Sequence, residues 1–414
     1  MTANATPPPS PSPRPHAVAF VFVTVLIDAM GIGIIIPVTP DLIKELADLP
    51  ISGAALWGGY LSFIYALMQF AFAPVLGNLS DRFGRRPVLL VSLAALTVDY
   101  LIMGLAPTLV LLFVGRLLAG IAGATHSTAN AYMADISAPS ERAKNFGLLG
   151  AAFGVGFIVG PVVGGVVGEI GTRAPFFAAA GLAAANFLYG AVVLPETLPA
   201  DKRRVFAWRR ANPLGVARQI AKSPTVTWFF AAYFLFTLAH FVYAAIWAYY
   251  AKEVFSWSNA EVGLSLAAVG VGFAVVQGWL IRYMLPRWGE ARTTLAGFIF
   301  SIIGLVAVSF ATEGWVIYLF IPVMALGAVV TPALIALMAN RVSDDAQGEL
   351  QGALTSVAGI TLILSPLIMT QLFAFFSGPE TPIYFPGAPF LVAAILMLAA
   401  LVPFGLGLRR EPRK

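Results

Sequence analysis

"GNLSDRFGRRP", residues 77–87, packs four charges and two glycines into eleven residues. On either side run apolar stretches, 55–76 and 87–106, each near the ~20 residues that a helix needs to cross a ~30 Å hydrocarbon layer. A charged interruption between two such runs is the mark of a membrane-protein loop. Working outward, further apolar stretches lie at 16–38, 108–131, 145–168, 174–194, 225–250, 261–284, 293–311, 314–339, 350–375 and 387–408, which makes about twelve. The composition agrees: 59% of residues are hydrophobic and 11% charged, against about 25% charged in soluble domains. Lipid offers no partner to an open strand edge, so runs interrupted by Gly and Pro are still helices. The expected fold is an all-α polytopic membrane protein with twelve transmembrane helices.

Lys and Arg concentrate in cytoplasmic loops. Of the 25 here, 21 fall on the side of residues 77–87, three (Lys44, Arg173 and Lys252) fall on the other, and Arg116 lies within a span. Both termini are therefore expected in the cytoplasm. The net charge of +5 is then a topology signal, and no nucleic-acid partner is implied. Residues 1–15, rich in Pro and Ser, are expected as a disordered tail, and 409–414 as a second tail. The first apolar run lacks the basic flank and cleavage site of a signal peptide. With no cysteine in the chain there is no disulfide and no thiolate metal site.

The second half repeats the first at an offset of 205 residues. Phe83-Gly84 falls on Trp288-Gly289, Met133-Ala134 on Met338-Ala339, Gly147 on Gly352 and Pro161 on Pro366. The expected division is a six-helix bundle over 16–194, a polar linker over 195–223 and a second six-helix bundle over 224–408. Duplicated halves are the architecture of carriers that rock about a midplane site.

Three charges lie inside spans: Asp28 in "LIDAMGIGIIIP" (26–37), Asp99 in "LTVDYLIM" (96–103) and Arg116 in "FVGRLLAG" (113–120). Each costs at least ~2.5–3.5 kcal/mol at the bilayer centre, so such groups turn inward and serve function. A carboxylate taken out of water is a reversible proton carrier, whereas Arg stays charged and acts as a partner. A static Asp–Arg pair holding helices together is the plainer alternative. Arg116, Gly120, Gly123, Ser127 and Asn130 share one helical stripe, which suggests a small, polar, cavity-like face. His126 lies near that stripe and is a candidate addition to the proton route.

Candidates for substrate binding are Gln69, Asn130 and Gln277, polar groups in apolar helices, and the aromatic segment 233–250. In that segment Tyr233, His240, Tyr243 and Trp247 have the spacing of a wall on which a flat amphipathic molecule could stack. Ordinary packing explains the same stripe, as it does a lone membrane histidine. Ala152, Gly156, Gly160, Gly164 and Gly168 recur every four residues, a ladder that lets another helix backbone approach closely, with Pro161 adding a bend.

The 77–87 run matches the loop signature of the major facilitator superfamily, and "GVGFIVGPVVGG" (154–165) resembles the helix-five signature of its antiporters. More narrowly, "DAMGIGIIIPVTP" (28–40), "YALMQFAFAPVLGNLSDRFGRRPVLL" (65–90), "VDYL" (98–101), "GRLLAGIAGAT" (115–125), "ERAKNFGLLGAAFG" (141–154) and "TEGW" (312–315) resemble the tetracycline efflux proteins. The likeness is dense over 26–180 and thin after 225. It implies two pseudo-symmetric six-helix bundles, the major facilitator fold, in a bacterial inner membrane. It also implies a cytoplasmic latch of Gly77, Asp81, Arg82, Gly84, Arg85 and Arg86, joined by Asp135 and Arg142, that holds the halves together when the cavity opens outward. Gly156, Gly160, Pro161, Gly164 and Gly165 would then form a leak-proof seam between the halves. A His in span eight and an Asp in span nine belong to the same pattern, but this chain has Phe273 and Ser301 there, which concentrates proton chemistry in the first half.

Neither a Walker-type loop, nor HExxH, nor a nucleophile elbow occurs, so an enzyme, a cofactor and a metal site are not expected. The function expected is a monomeric, proton-coupled exporter of amphipathic organic compounds or drugs, tetracycline-like compounds among them. Its partners would be the small-molecule substrate, protons and the lipid bilayer. Proton-coupled uptake of a metabolite, and a non-transporting sensor or lipid-handling protein, are the other functions the residues leave open.

Overall fold

The computed structural model describes residues 15–123, 125–138, 140–206, 224–343 and 346–409, and no strand occurs among them. The two expected tails apart from Pro15 and Arg409, which belong to the helices that follow and precede them, the later part of the expected linker and the side chain of His126 lie outside the described residues. In chain order the spans are α1 (Pro15–Ile35), α2 (Ile51–Phe83), α3 (Arg85–Leu105), α4 (Leu109–Ala122 and Thr125–Ile136), α5 (Arg142–Gly168) and α6 (Ala174–Val193). They continue as α7 (Pro224–His240 and Val242–Phe255), α8 (Asn259–Val275, prolonged through a π-helical turn at Val276–Leu280 to residue 288), α9 (290–309), α10 (Gly314–Leu326 and Val330–Ala339), α11 (Gln347–Ser377) and α12 (Ala388–Arg409). Residues 259–309 run as 51 helical residues, roughly 75 Å at ~1.5 Å per residue and more than twice a bilayer core. Gly289, at φ 70° and ψ 170°, breaks this stretch into α8 and α9, and the spans among the described residues number twelve.

The 77–87 run is not a loop. α2 remains helical through Phe83 and α3 begins at Arg85, which leaves Gly84 alone at the corner with φ 107°. Hydropathy ends α2 near residue 76, but the polar extension satisfies its own backbone hydrogen bonds in water and stays helical. A residue without a Cβ takes the positive φ of that corner at no steric cost. Gly77, expected in the turn, is helical.

The 205-residue repeat reappears as geometry. Gly289 is the counterpart of Gly84 and also has positive φ. The break of α4 at Gly123 has its counterpart in the 3-10 turn Gly327–Val329 of α10. α1 stops at Ile35, ahead of a short amphipathic helix, Thr39–Ala47, that the hydropathy pattern does not reveal, and α7 is interrupted correspondingly at Phe241.

In the first half α1 lies along α5, α2 against α4 and α3 against α6, and in the second α7 lies along α12 and α9 beside α10 and α12. Two seams join the halves: α5 on α8, and α2 on α11. The glycine ladder is what lets α1 and α5 touch. A Cβ on Gly156 would stand 2.7 Å from that of Ala29, one on Gly160 would stand 3.0 Å from the Gly33 Cα, and Gly164 abuts the backbone of Ile34. Gly156, Gly160 and Gly164, expected at the seam between the halves, therefore face a helix of their own half. The seam is built on the adjacent stripe, about 100° round the helix. There Pro161 meets Gly263, Gly165 meets Asn259 and Ala260, and Gly168 meets Asn259.

Both seams close at one end only. Followed along α5, the face of Pro161 and Gly165 leads to Gly154 and Gly147, where a Cβ would meet nothing within 4 Å. At the other seam Gly58 meets Tyr249, Gly59 meets Thr370 and Gly359 meets Phe70, whereas Gly77 and Gly348 meet nothing. The halves touch at the end that carries Asp41 and Glu169 and part at the basic end around residues 77–87.

Gly164→Val forces a branched side chain into the Ile34 backbone, and overpacking of that kind costs roughly 1–3 kcal/mol. The melting temperature of the purified variant is expected to fall by several degrees, with Gly147→Val at the parted end unchanged. Equal melting temperatures for the two would contradict this packing.

Candidate functional site

The in-span charges converge in the first half, but the two carboxylates differ. Asp99 is 2% exposed and forms an ion pair with Arg116, whose Nε donates to Asp99 Oδ1 at 3.2 Å. The guanidinium lies 5.1 Å over the Tyr65 ring. One turn further along α2, Gln69 donates to the Tyr65 hydroxyl (3.3 Å) and to the Gly123 carbonyl (3.0 Å), which the break in α4 leaves open to a side-chain donor. At Arg116, Gly120 and Gly123 the stripe is consequently not the cavity face that its small residues suggest: a Cβ on Gly120 would stand 2.6 Å from the Tyr65 carbonyl oxygen, so this part is packed on α2, whereas Ser127 is exposed. Asn130, further along α4, is half-buried.

Asp28 is half-buried and, among the described residues, has neither an ion pair nor a hydrogen bond. Its carboxylate acts electrostatically on the phenols of Tyr65 and Tyr100. Tyr100 in turn packs on Gly31, one turn along from Asp28, where a Cβ would stand 2.8 Å from its hydroxyl. The two phenols thus form the neighbourhood of an acid that has no cation of its own among the described residues, and Tyr65 lies between it and the Asp99–Arg116 pair. Both tyrosines escape notice in the sequence although they sit beside noted residues, Tyr65 four before Gln69 and Tyr100 next to Asp99.

At the basic end, Arg85 bridges Asp81 (2.6 Å) and Asp135 (3.0 Å) and donates to Ser80 Oγ (2.6 Å). Glu196, just past α6, accepts from the backbone N–H groups of Arg85 (2.9 Å) and Arg86 (3.2 Å). A carboxylate at the start of α3 answers the helix dipole. Arg86 donates to the Ala191 carbonyl at 2.7 Å. Glu196 is a member of the network that sequence reasoning misses; its one signal is an acid immediately after the last span of the half. Arg142, expected to join, is exposed and has no ion pair among the described residues, because Arg85 already serves both carboxylates. Arg82 stands 5.1 Å over the ring of Phe83. These contacts brace α2, α3, α4 and the end of α6 within one half.

In the second half the aromatic segment divides. Tyr233 and Trp247 are 6% and 2% exposed, and Trp247 Nε1 donates to Ser265 Oγ at 2.9 Å while its ring meets Phe390 and Trp257. Burial makes these two packing residues and removes them from the expected substrate wall. His240 and Tyr243 stay half-buried. The imidazole stacks on Phe236 at 5.5 Å and on Phe273 at 5.8 Å, with Tyr243 edge-on at 5.9 Å. Gln277 is exposed at the π-helical turn of α8, one turn beyond Phe273 and towards the parted end.

Twelve spans in two repeated halves, joined along glycine seams and parted at one end, with charges held inside one half, define a multi-pass membrane carrier of the rocking type. The model of the Major Facilitator Superfamily matches residues 21–321 and again 229–414, and the chain belongs to that superfamily. Within it, the chain is 40% identical over 375 residues to the class C tetracycline resistance protein of Escherichia coli, covering 91% of this chain and 93% of that protein. It is 41% identical, with the same coverage, to the class G tetracycline resistance protein of Vibrio anguillarum. Among solved structures, the nucleoside transporter NupG shares the fold at a TM-score of 0.76 and 12% identity, covering 96% of this chain and 99% of that one.

Removing one member of a buried ion pair strands the other at a cost of about 3–5 kcal/mol, whereas removing both is often neutral. Asp99→Leu and Arg116→Leu should each lower stability strongly, and the double variant should recover most of the loss in thermal unfolding. Additive losses would show that the two do not depend on each other.

Proposed function

We propose that the protein exports a flat amphipathic drug, of the tetracycline class or close to it in shape, across the bacterial inner membrane in exchange for protons. The basic end is assigned to the cytoplasm because Lys and Arg gather there. The parted seams then open a cleft towards the cytoplasm, and the closed end faces the outer side. The observation that carries the reading is the contrast between the carboxylates: Asp99 has Arg116, and Asp28 has no cation among the described residues. A carboxylate without a partner must be protonated when its site is dry and can ionise when its site is wet or a substrate supplies polar contacts.

Exchange follows from that requirement. In the inward-open state the substrate enters through the cleft, and Asp28 gives its proton to the cytoplasm. The halves then rock so that the cleft faces outward, where the substrate leaves and Asp28 takes a proton from the outer side. Protonated and dry, Asp28 allows the empty carrier to return. Arg116 does not short-circuit the cycle, since Asp99 and the Tyr65 ring hold it. Gln69, Asn130, His240, Tyr243 and Gln277 are the proposed substrate contacts. The polar pair that the tetracycline efflux pattern puts in spans eight and nine is absent, so that side relies on His240, stacked on Phe273, and on Gln277. The brace of Asp81, Arg85, Asp135 and Glu196 serves as the preformed rim on which the second half closes in the outward-open state. Relatives named for tetracycline resistance support the substrate class.

The test is substrate-induced proton release from purified protein in weakly buffered detergent, with tetracycline binding followed in parallel. Asp28→Asn is expected to keep binding and lose the release. Release of protons at the wild-type level in that variant would remove Asp28 from the mechanism.

A further inference from the structure

Only three basic residues lie on the outer side, against a strong bias for the other, and two of them are clamps. Arg173 works inside the first half, meeting Glu45 at 3.0 Å and donating to the carbonyls of Gly104 (3.0 Å) and Ala106 (2.9 Å). It fixes the Thr39–Ala47 helix, and with it Asp41, to the body of that half. Lys252, near the end of α7, works between the halves. Its Nζ lies 2.8 Å from Asp41 Oδ2 and donates to Asn259 Oδ1, also at 2.8 Å. Asn259 opens α8 and is the residue against which Gly165 and Gly168 of α5 close. Beside it, Glu169 at the end of α5 accepts from the Ala260 N–H at 3.0 Å, so a carboxylate of the first half caps a helix of the second. The start of α8 is itself rigid, held by a capping box of Ser258 and Glu261. A cleft of about 230 Å³ lined by Asp41, Lys44, Lys252 and Glu253 opens beside the pair, so water reaches it.

We infer that Asp41 and Lys252, with Glu169 on the α8 N-terminus, form the outer gate, and that the ion pair sets how much of the time the carrier faces inward. Opening outward must pull α8 off α5, and that separates Lys252 from Asp41 and the Ala260 N–H from Glu169. Each contact is present in one state and absent in the other, so its loss shifts the equilibrium by the free energy it contributed to the closed end. Neither residue touches the proton site, and the gate acts on the population of states. The inference rests on the alternating-access reading above but not on the identity of substrate or ion.

The natural chain has no cysteine, so single reporter thiols can be placed without background. Ser52→Cys is buried at the outer end of α2, two turns from Gly59 on the face that meets α11, and Ala151→Cys is exposed on the seam face of α5 at the basic end. The rate of labelling by a membrane-impermeant maleimide is measured without substrate and without a proton gradient, in membranes of each orientation. Asp41→Asn and Lys252→Gln are each expected to speed labelling at Ser52→Cys by at least about fivefold, the lower range of ordinary coupling, and to slow it at Ala151→Cys. The exchange Asp41→Lys with Lys252→Asp should return both rates towards those of the parent. Unchanged rates in both single variants would overturn the gate, as would faster labelling at both ends together, which signals general loosening. Failure of antiport itself would leave these rates as expected, so the two ideas fall separately.

Discussion

An ionised carboxylate inside a hydrocarbon layer needs either a partner or a proton, and among the described residues the first half of this protein holds one in-span acid with a cation and one without. Asp99 is closed off and spends its charge on Arg116. Asp28 stands half-open beside two phenols and has no cation among the described residues. Arg116 is the only Lys or Arg that the sequence places away from the end of a span, and Asp99 together with the Tyr65 ring already holds it. The pair that stabilises the bundle thereby keeps the other carboxylate unneutralised. A structural ion pair on one acid and the proposed proton site on the other are thus compatible within one half.

The backbone contacts carry this chemistry to the seams. α1, which bears Asp28, is locked to α5 by Gly156, Gly160 and Gly164, and α5 meets α8 through Pro161, Gly165 and Gly168. One helix therefore packs against the Asp28 helix on one glycine face and forms the interface between halves on the next. Larger side chains on the first face would loosen Asp28 from the moving element, and on the second would prop the seam apart. Closure at the end that carries Asp41 and Glu169 and separation at the basic end are what the proposed inward-open state requires of such a hinge-like arrangement.

Much of the fold is legible in the residues because the bilayer is an unforgiving solvent: apolar length, basic bias and the 205-residue repeat suffice for twelve spans in two halves. Hydropathy fails where water begins. It does not reveal the extension of α2 through Phe83, the helix Thr39–Ala47, or the single-residue corner at Gly84. It also makes α8 and α9 two runs for a reason it does not contain, the positive φ of Gly289. For the site, residue type finds the charges but not their pairing. Helical spacing makes Gly120 and Gly123 look like cavity wall, and only the approach of α2 shows them packed. It likewise gives Tyr233 and Trp247 the same standing as His240 and Tyr243, because a period of 3.6 does not say which aromatic ring is covered by a neighbouring helix. Glu196 has only its place just after a span to mark it, because the partners that tie it into the network are backbone N–H groups more than a hundred residues away.

The claim on which the rest turns is that Asp28 carries the proton which substrate displaces. Infrared difference spectroscopy of the reconstituted protein, recorded on addition of tetracycline, observes the carbonyl stretch of a protonated carboxyl group directly. A band lost on substrate addition in the parent and in Glu169→Gln, and missing in Asp28→Asn, is the predicted result. The same loss persisting in Asp28→Asn would contradict it.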